Sequence, residues 1–176
     1  RHDVVAHDDV LAVAECCWEH PSFDARRAAS EILALRASVL VPADLTVLEA
    51  MLRDAETWAI VDVIAAKSVG SIVRRHAEDA GRVLDRWAAD PDSFWIRRSA
   101  LLALLDDLRA GAGDWERFGR YADSMLHEKE FFIRKAIGWV LRDTSRKRPD
   151  MVWAWVEPRR YDMSGVTRRE ALKYLG

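Results

Sequence analysis

The chain has 176 residues, half of them apolar, with 27 lysines and arginines against 29 aspartates and glutamates for a formal net charge of −2. That apolar share supports a packed core and excludes a disordered tail, while the near balance of charge does not by itself point to nucleic acid. No apolar run is long enough to cross a bilayer, since even the stretch from Trp58 to Ala66 is broken by Asp62, and the first residues lack the basic-then-apolar pattern of a signal peptide.

In chain order, nearly every segment reads as helix. Residues 7–19 carry Val10, Leu11, Val13, Ala14 and Cys17 at helical spacing and stop near His20 and Pro21. The only cysteines, Cys16 and Cys17, are adjacent. Neighbouring thiols diverge and make strained disulfides, so they read as buried structural thiols in a reducing, cytoplasmic setting. His20 lies one turn from Cys16, but no second ligand pair follows, and no metal is expected. A second helix is predicted over 23–38, with Ala28, Ile32 and Leu35 on one stripe and Arg26, Arg27 and Glu31 opposite. Pro42 suits the first turn of a third, running to Arg53. Further helices are predicted over 56–75, 78–89, 94–109, 115–127, 130–144, 149–156 and 165–175. No stretch alternates with strand period for long enough to form a sheet.

The helices are short, and pairs of them recur about every 35 to 40 residues. The expected fold is all-α: a HEAT-like helical-repeat solenoid of antiparallel pairs with superhelical curvature, forming a single domain over residues 1–176. Period alone leaves an ordinary helical bundle open. No phosphate-cradling loop, dinucleotide fingerprint or nucleophile elbow is present. Charge is unevenly spread: residues 1–66 hold 5 basic and 12 acidic residues, and residues 67–176 hold 22 and 17. Such asymmetry suits a phosphate-facing surface, although a solvated helical face looks the same.

Three groups of residues can carry chemistry. Trp58 and Asp62 share one face of a helix, with Asp62 set among Ile60, Val61, Val63 and Ile64. Taken alone, a solvent-facing Asp explains it. Trp95, Ile96, Arg97 and Arg98 pair a tryptophan with two arginines near a helix start, which suits phosphate contact or, equally, arginines lying along a helix flank. In the third, Phe131 to Arg142, Gly138 in mid-helix costs about 1 kcal/mol relative to Ala and needs a clearance reason. It precedes Trp139, with Arg142 on the same face. Core packing accounts for Phe131, Phe132 and Ile137 but leaves Arg142 unexplained.

The segment FFIRKAIGWVLRD (131–143), with Trp95 to Arg98 and Trp58 to Asp62 upstream in the same order and approximate spacing, resembles the bacterial AlkD family of DNA alkylation repair glycosylases. The tail from Ser164 to Lys173 resembles that family's closing helix, so the likeness spans roughly residues 8 to 175. It implies a solenoid that wraps duplex DNA and hydrolyses the N-glycosidic bond of cationic N3- and N7-alkylated purines, the first step of base excision repair. By matching positions, it implies Asp62 as catalytic carboxylate and Trp58 and Trp139 as aromatics packed on the lesion's deoxyribose. Arg98 and Arg142 hold the flanking backbone, with Arg97, Trp95 and Lys135 in the same DNA-binding surface. No metal or organic cofactor is implied, and a monomer with no membrane association is expected. Relatives carry additional N-terminal helices with a substrate-facing loop. This chain, which opens at Arg1, is expected to lack them.

The chemistry is coherent on its own terms. An alkylated purine already carries positive charge and leaves without much acid assistance. The sugar cation left behind needs a carboxylate and electron-rich aromatic faces, and the carboxylate can also orient the attacking water. The alternatives are a non-catalytic nucleic-acid-binding module, which would keep the arginines but have no use for Asp62, and a protein-interaction solenoid. Convergence of Trp58, Asp62, Trp139 and Arg142 on one face separates them.

Overall fold

A computed structural model of the chain describes residues 6–175, so residues 1–5 and 176 of the expected domain lie outside the described part. Twelve α-helices, and no strand, occur among the described residues. They follow one another as five sequential pairs. The first is α1 (His7–Glu19) and α2 (Phe23–Leu35). Next come α3 (Leu45–Asp54) and α4 (Trp58–Val63), which runs through a π-helical turn, Ile64–Val69, into α5 (Gly70–Arg75). Then follow α6 (Ala77–Ala88) with α7 (Phe94–Leu102) and its extension α8 (Leu105–Arg109), α9 (Trp115–Met125) with α10 (Phe131–Ser145), and α11 (Pro149–Val156) with α12 (Gly165–Ala171).

The second members of the pairs stand side by side in one row. Helix α2 packs on α4 and the π turn, these pack on α7 and α8, both α7 and α8 pack on α10, and α10 packs on α12. The first members lie against this row: α3, α6 and α9 contact α7, and α11 contacts α10. The chain is a helical-repeat solenoid.

Local sequence fixes the helix starts. Ser22, Thr57, Ser93, Glu130 and Ser164 each accept a hydrogen bond from a backbone N–H two or three residues on, an interaction worth about 1 kcal/mol per cap. These caps set the row's starts at residues 23, 58, 94, 131 and 165, so neighbouring helices are offset by 34 to 37 residues. Residues at equal depth in adjacent helices therefore meet. Polar pairs 31 to 39 residues apart cross from repeat to repeat throughout: Glu49–Arg86, Asp62–Arg98, Lys67–Asp106, Arg97–Glu128, Arg109–Asp143, Asp123–Arg159 and Lys135–Glu170. The core beneath them is aliphatic, with Trp87 and Phe118 its largest fully buried side chains.

Several expectations need correction. The helix predicted over 23–38 stops at Leu35, where the Arg36 N–H bonds back to Ile32 and Ala34. The helix predicted over 94–109 breaks at Ala103 and Leu104, and the one over 56–75 is interrupted by the π turn. These two irregularities face each other: a Cβ on Gly70, at the end of the π turn, would sit 3.0 Å from the Ala103 carbonyl oxygen. The last predicted helix ends at Ala171 and tightens into a 3-10 turn, Leu172–Tyr174. Cys16 is exposed and Cys17 half-buried, so the pair is not a buried structural one.

Candidate active site

Helices α2, α4, α7 and α10 each begin with an aromatic residue: Phe23, Trp58, Phe94 and Phe131. Four residues further on, one turn deeper, Asp62, Arg98 and Lys135 occupy equivalent positions in α4, α7 and α10. The repeat offset thus brings Asp62 against Arg98. The contact is bidentate, Arg98 Nε donating to Asp62 Oδ1 at 2.8 Å and Nη2 to Oδ2 at 2.7 Å. Arg98 Nη1 donates to the Phe132 carbonyl, and the Phe132 ring lies 5.8 Å from the guanidinium. The Arg98 side chain is 3% exposed and that of Asp62 13%, so the carboxylate lies nearer the surface than the cation that holds it.

This pair floors a recess of about 280 Å³ lined otherwise by Trp58, Phe131, Phe132, Lys135 and Trp139. Asp62 is the one carboxylate among those lining residues. Trp58 and Phe131 stand at the rim, 55% and 53% exposed. Trp95 packs behind Phe132, ring centroids 4.8 Å apart, and does not line the recess. A second hollow of about 180 Å³ shares Asp62 and Trp139 and continues between Lys67, Leu105, Asp106 and Arg109.

Two further acids organise the far wall. Trp139 Nε1 donates to Asp143 Oδ2 at 3.0 Å, and the same carboxylate accepts from Arg109 (2.6 Å) and Arg142 (3.1 Å). Burial alone would push the Asp143 carboxyl up, but the hydrogen bonds from Arg109 and Arg142 outweigh it and hold the group below the usual carboxylate range. Glu170 accepts from Lys135 at 2.6 Å and also from Arg142. The Lys135 bond holds its carboxyl below the ordinary value, against a smaller desolvation effect. Gly138 finds its reason here: a Cβ would lie 2.7 Å from Glu170 Cβ and 3.0 Å from the Thr167 carbonyl oxygen. What it admits is helix α12.

The sequence profile described as "DNA alkylation repair enzyme" matches residues 1–175. The chain belongs to that family. Among solved structures, it is similar to a predicted DNA alkylation repair enzyme from Enterococcus faecalis (TM-score 0.84, 23% identity, covering 97% of this chain and 77% of that one). It is also similar to smu.31 from Streptococcus mutans UA159 (0.74, 15%, covering 99% and 88%) and to AlkD2 from Streptococcus mutans (0.74, 15%, covering 99% and 84%). No curated protein matches. At these identities the solved structures establish the fold, and the profile establishes the family.

Within this repair-enzyme fold, Trp58, Asp62, Trp139, Lys135 and Arg98 converge on the recess. The expected phosphate-facing arginines are placed differently. Arg98 is buried with its guanidinium shared between Asp62 and the Phe132 carbonyl, so it holds the carboxylate and does not reach outward. Arg97 points away from the recess, bonded to both Glu128 oxygens and the Asp90 carbonyl in a different cavity. Arg142 is held between Asp143 and Glu170. Phe131 and Phe132, assigned to the core from sequence, line the recess. Nothing in the local sequence marks Asp143 or Glu170. The signal for both was the repeat offset, since Arg109 and Lys135 lie 34 and 35 residues from them.

Proposed function

We propose that the protein is a monofunctional DNA glycosylase that hydrolyses the N-glycosidic bond of cationic N3- and N7-alkylated purines in duplex DNA. The observation that carries this reading is a single carboxylate, Asp62, at the floor of a recess walled by Trp58, Phe131, Phe132 and Trp139.

The reaction asks little of an acid. For an N7-alkylated guanine, the C1′–N9 bond breaks and its electron pair neutralises the ring, leaving positive charge on the sugar. Asp62 and the electron-rich faces of the two tryptophans stabilise that charge. Water then adds at C1′ and gives up a proton, with Asp62 as the acceptor in reach. Arg98 serves this chemistry as a positioning residue: a bidentate guanidinium fixes the carboxylate's plane, and lying deeper it leaves the negative end of the pair toward the recess. A HEAT-like arrangement would bring the flanking duplex across the row of second helices.

One observation favours a non-catalytic binding module instead. Asp62 is already neutralised by a buried arginine, and such pairs also occur as structural cross-links between repeats. Incubation of the protein with duplex containing N7-methylguanine, followed by scoring of alkali-labile abasic sites, decides between them. Enzyme-dependent strand cleavage at the lesion supports the glycosylase. Binding without abasic sites overturns it.

A further inference from the structure

Cations lining the recess and its neighbouring hollow are committed to carboxylates: Lys67 to Asp106, Arg109 to Asp143, Lys135 to Glu170, and Arg98 to Asp62. Each such pair is neutral overall, so the catalytic wall offers a phosphate backbone little net charge. Duplex affinity depends on cations that replace condensed counterions, and these must lie elsewhere.

They lie beyond the recess, at the C-terminal end of α10. Residues 131–176 contain eleven basic and five acidic residues. Helix α10 carries Trp139 and Arg142 on one face, and Arg146, which caps its C-terminus, continues that face. Beside it, the 3-10 turn after α12 presents Lys173 and Tyr174 one turn beyond Glu170. Arg146 lies with its guanidinium carbon 4.4 Å from the Tyr174 ring centroid and donates to the Tyr174 hydroxyl. Lys173 Nζ is 5.8 Å from the same ring. Arg146, Lys147 and Lys173 are exposed, and none has a carboxylate within 4.0 Å among the described residues.

We propose that Arg146 and Lys173, grouped around Tyr174, form a phosphate-binding surface for the backbone of duplex DNA. Seven residues separate Trp139 from Arg146, about 10 Å along the helix. A duplex crossing the recess would bring its backbone within reach of this surface. Tyr174 holds the Arg146 guanidinium over its face and hydroxyl, which lowers the entropy lost when a phosphate is gripped. Cations in this position also compensate the negative end of α10, a role that would not alter DNA binding.

The proposal rests on the reading that the chain binds duplex DNA, and its test does not require base release. Fluorescence anisotropy of an unmodified, dye-labelled duplex is followed against salt concentration for the wild type, for Arg146→Ala/Lys173→Ala, and for Arg82→Ala on α6. Removal of two phosphate contacts lowers the slope of log K against log salt by about 1.8. Arg82→Ala leaves the slope unchanged. Circular dichroism confirms that the variants fold. An unaltered slope in the double variant, or a wild type whose binding ignores salt, overturns the proposal. Failure of the glycosylase reading would instead appear as absent base release with this slope difference intact.

Discussion

Asp62 and Arg98 occupy equivalent positions in neighbouring repeats, 36 residues apart, and are joined by two charge-assisted hydrogen bonds of 2.8 and 2.7 Å. The pair links adjacent repeats and presents the carboxylate to the recess at once, so its removal tests both the packing of the repeats and the role proposed for Asp62.

The structural half of that statement is measured by Arg98→Met. The substitution leaves a mostly buried carboxylate and the Phe132 carbonyl without their donor. Loss of one partner of a buried pair costs about 3–5 kcal/mol, and denaturant unfolding should register a loss of that order. Asp62→Leu/Arg98→Met, which removes both charges, should recover most of it. A loss under about 1 kcal/mol in the single variant would contradict the assigned burial.

Gly138→Ala tests the close approach of α12. The added Cβ falls 2.7 Å from Glu170 Cβ and 3.0 Å from the Thr167 carbonyl oxygen, so α10 and α12 must part. Overpacking of this kind costs about 1–3 kcal/mol. A variant as stable as the wild type, or more stable through improved helix propensity, would show that the helices yield freely.

Acid sensitivity follows from Asp143 and Glu170. Both carboxyls are held below their ordinary values, so each contributes stability that is fully present above the unfolded value of about 4. That contribution is lost as the pH falls from there through the folded value. The denaturant midpoint of the wild type should therefore fall as the pH drops below about 4. Asp143→Asn should be weaker at neutral pH yet lose less on acidification. Parallel pH profiles for the two proteins would refute the role given to Asp143.

Trp139 separates aromatic stabilisation from hydrogen bonding. Trp139→Phe keeps an aromatic face but loses the donor to Asp143, whereas Trp139→Ala loses both. A desolvated cation–π contact is worth about 1–2 kcal/mol, roughly five- to thirtyfold in rate. Single-turnover base release should fall by that much in the alanine variant and less in the phenylalanine variant. Equal rates in the alanine variant and the wild type would remove Trp139 from the site.

Much of this molecule was legible in its sequence because the repeat is long-range order written locally. Apolar stripes marked the helices and their spacing suggested a repeat, while the resemblance to a known family supplied the grouping of Trp58, Asp62 and Trp139. What the sequence hid was pairing. Arg98, Arg97 and Arg142 look alike as exposed basic residues in a one-dimensional reading, yet each meets an acid from another part of the chain. Arg98 is buried as a result, Arg97 faces another cavity, and Gly138 clears a neighbouring helix. The π turn after Asp62 and the break at Ala103 were equally hidden, since they meet where Gly70 approaches the Ala103 carbonyl, a contact between helices that local propensity does not register.

The most direct test of the central claim is single-turnover release of N7-methylguanine by Asp62→Asn, with duplex binding and folding measured on the same preparation. Asn keeps one acceptor for Arg98 but leaves its buried charge without a counterion, so the variant should be less stable; its folded fraction should bind duplex, and its base release should drop to the uncatalysed rate. Base release at the wild-type rate from a folded Asp62→Asn protein would contradict the assignment of Asp62 as the group that stabilises the sugar cation.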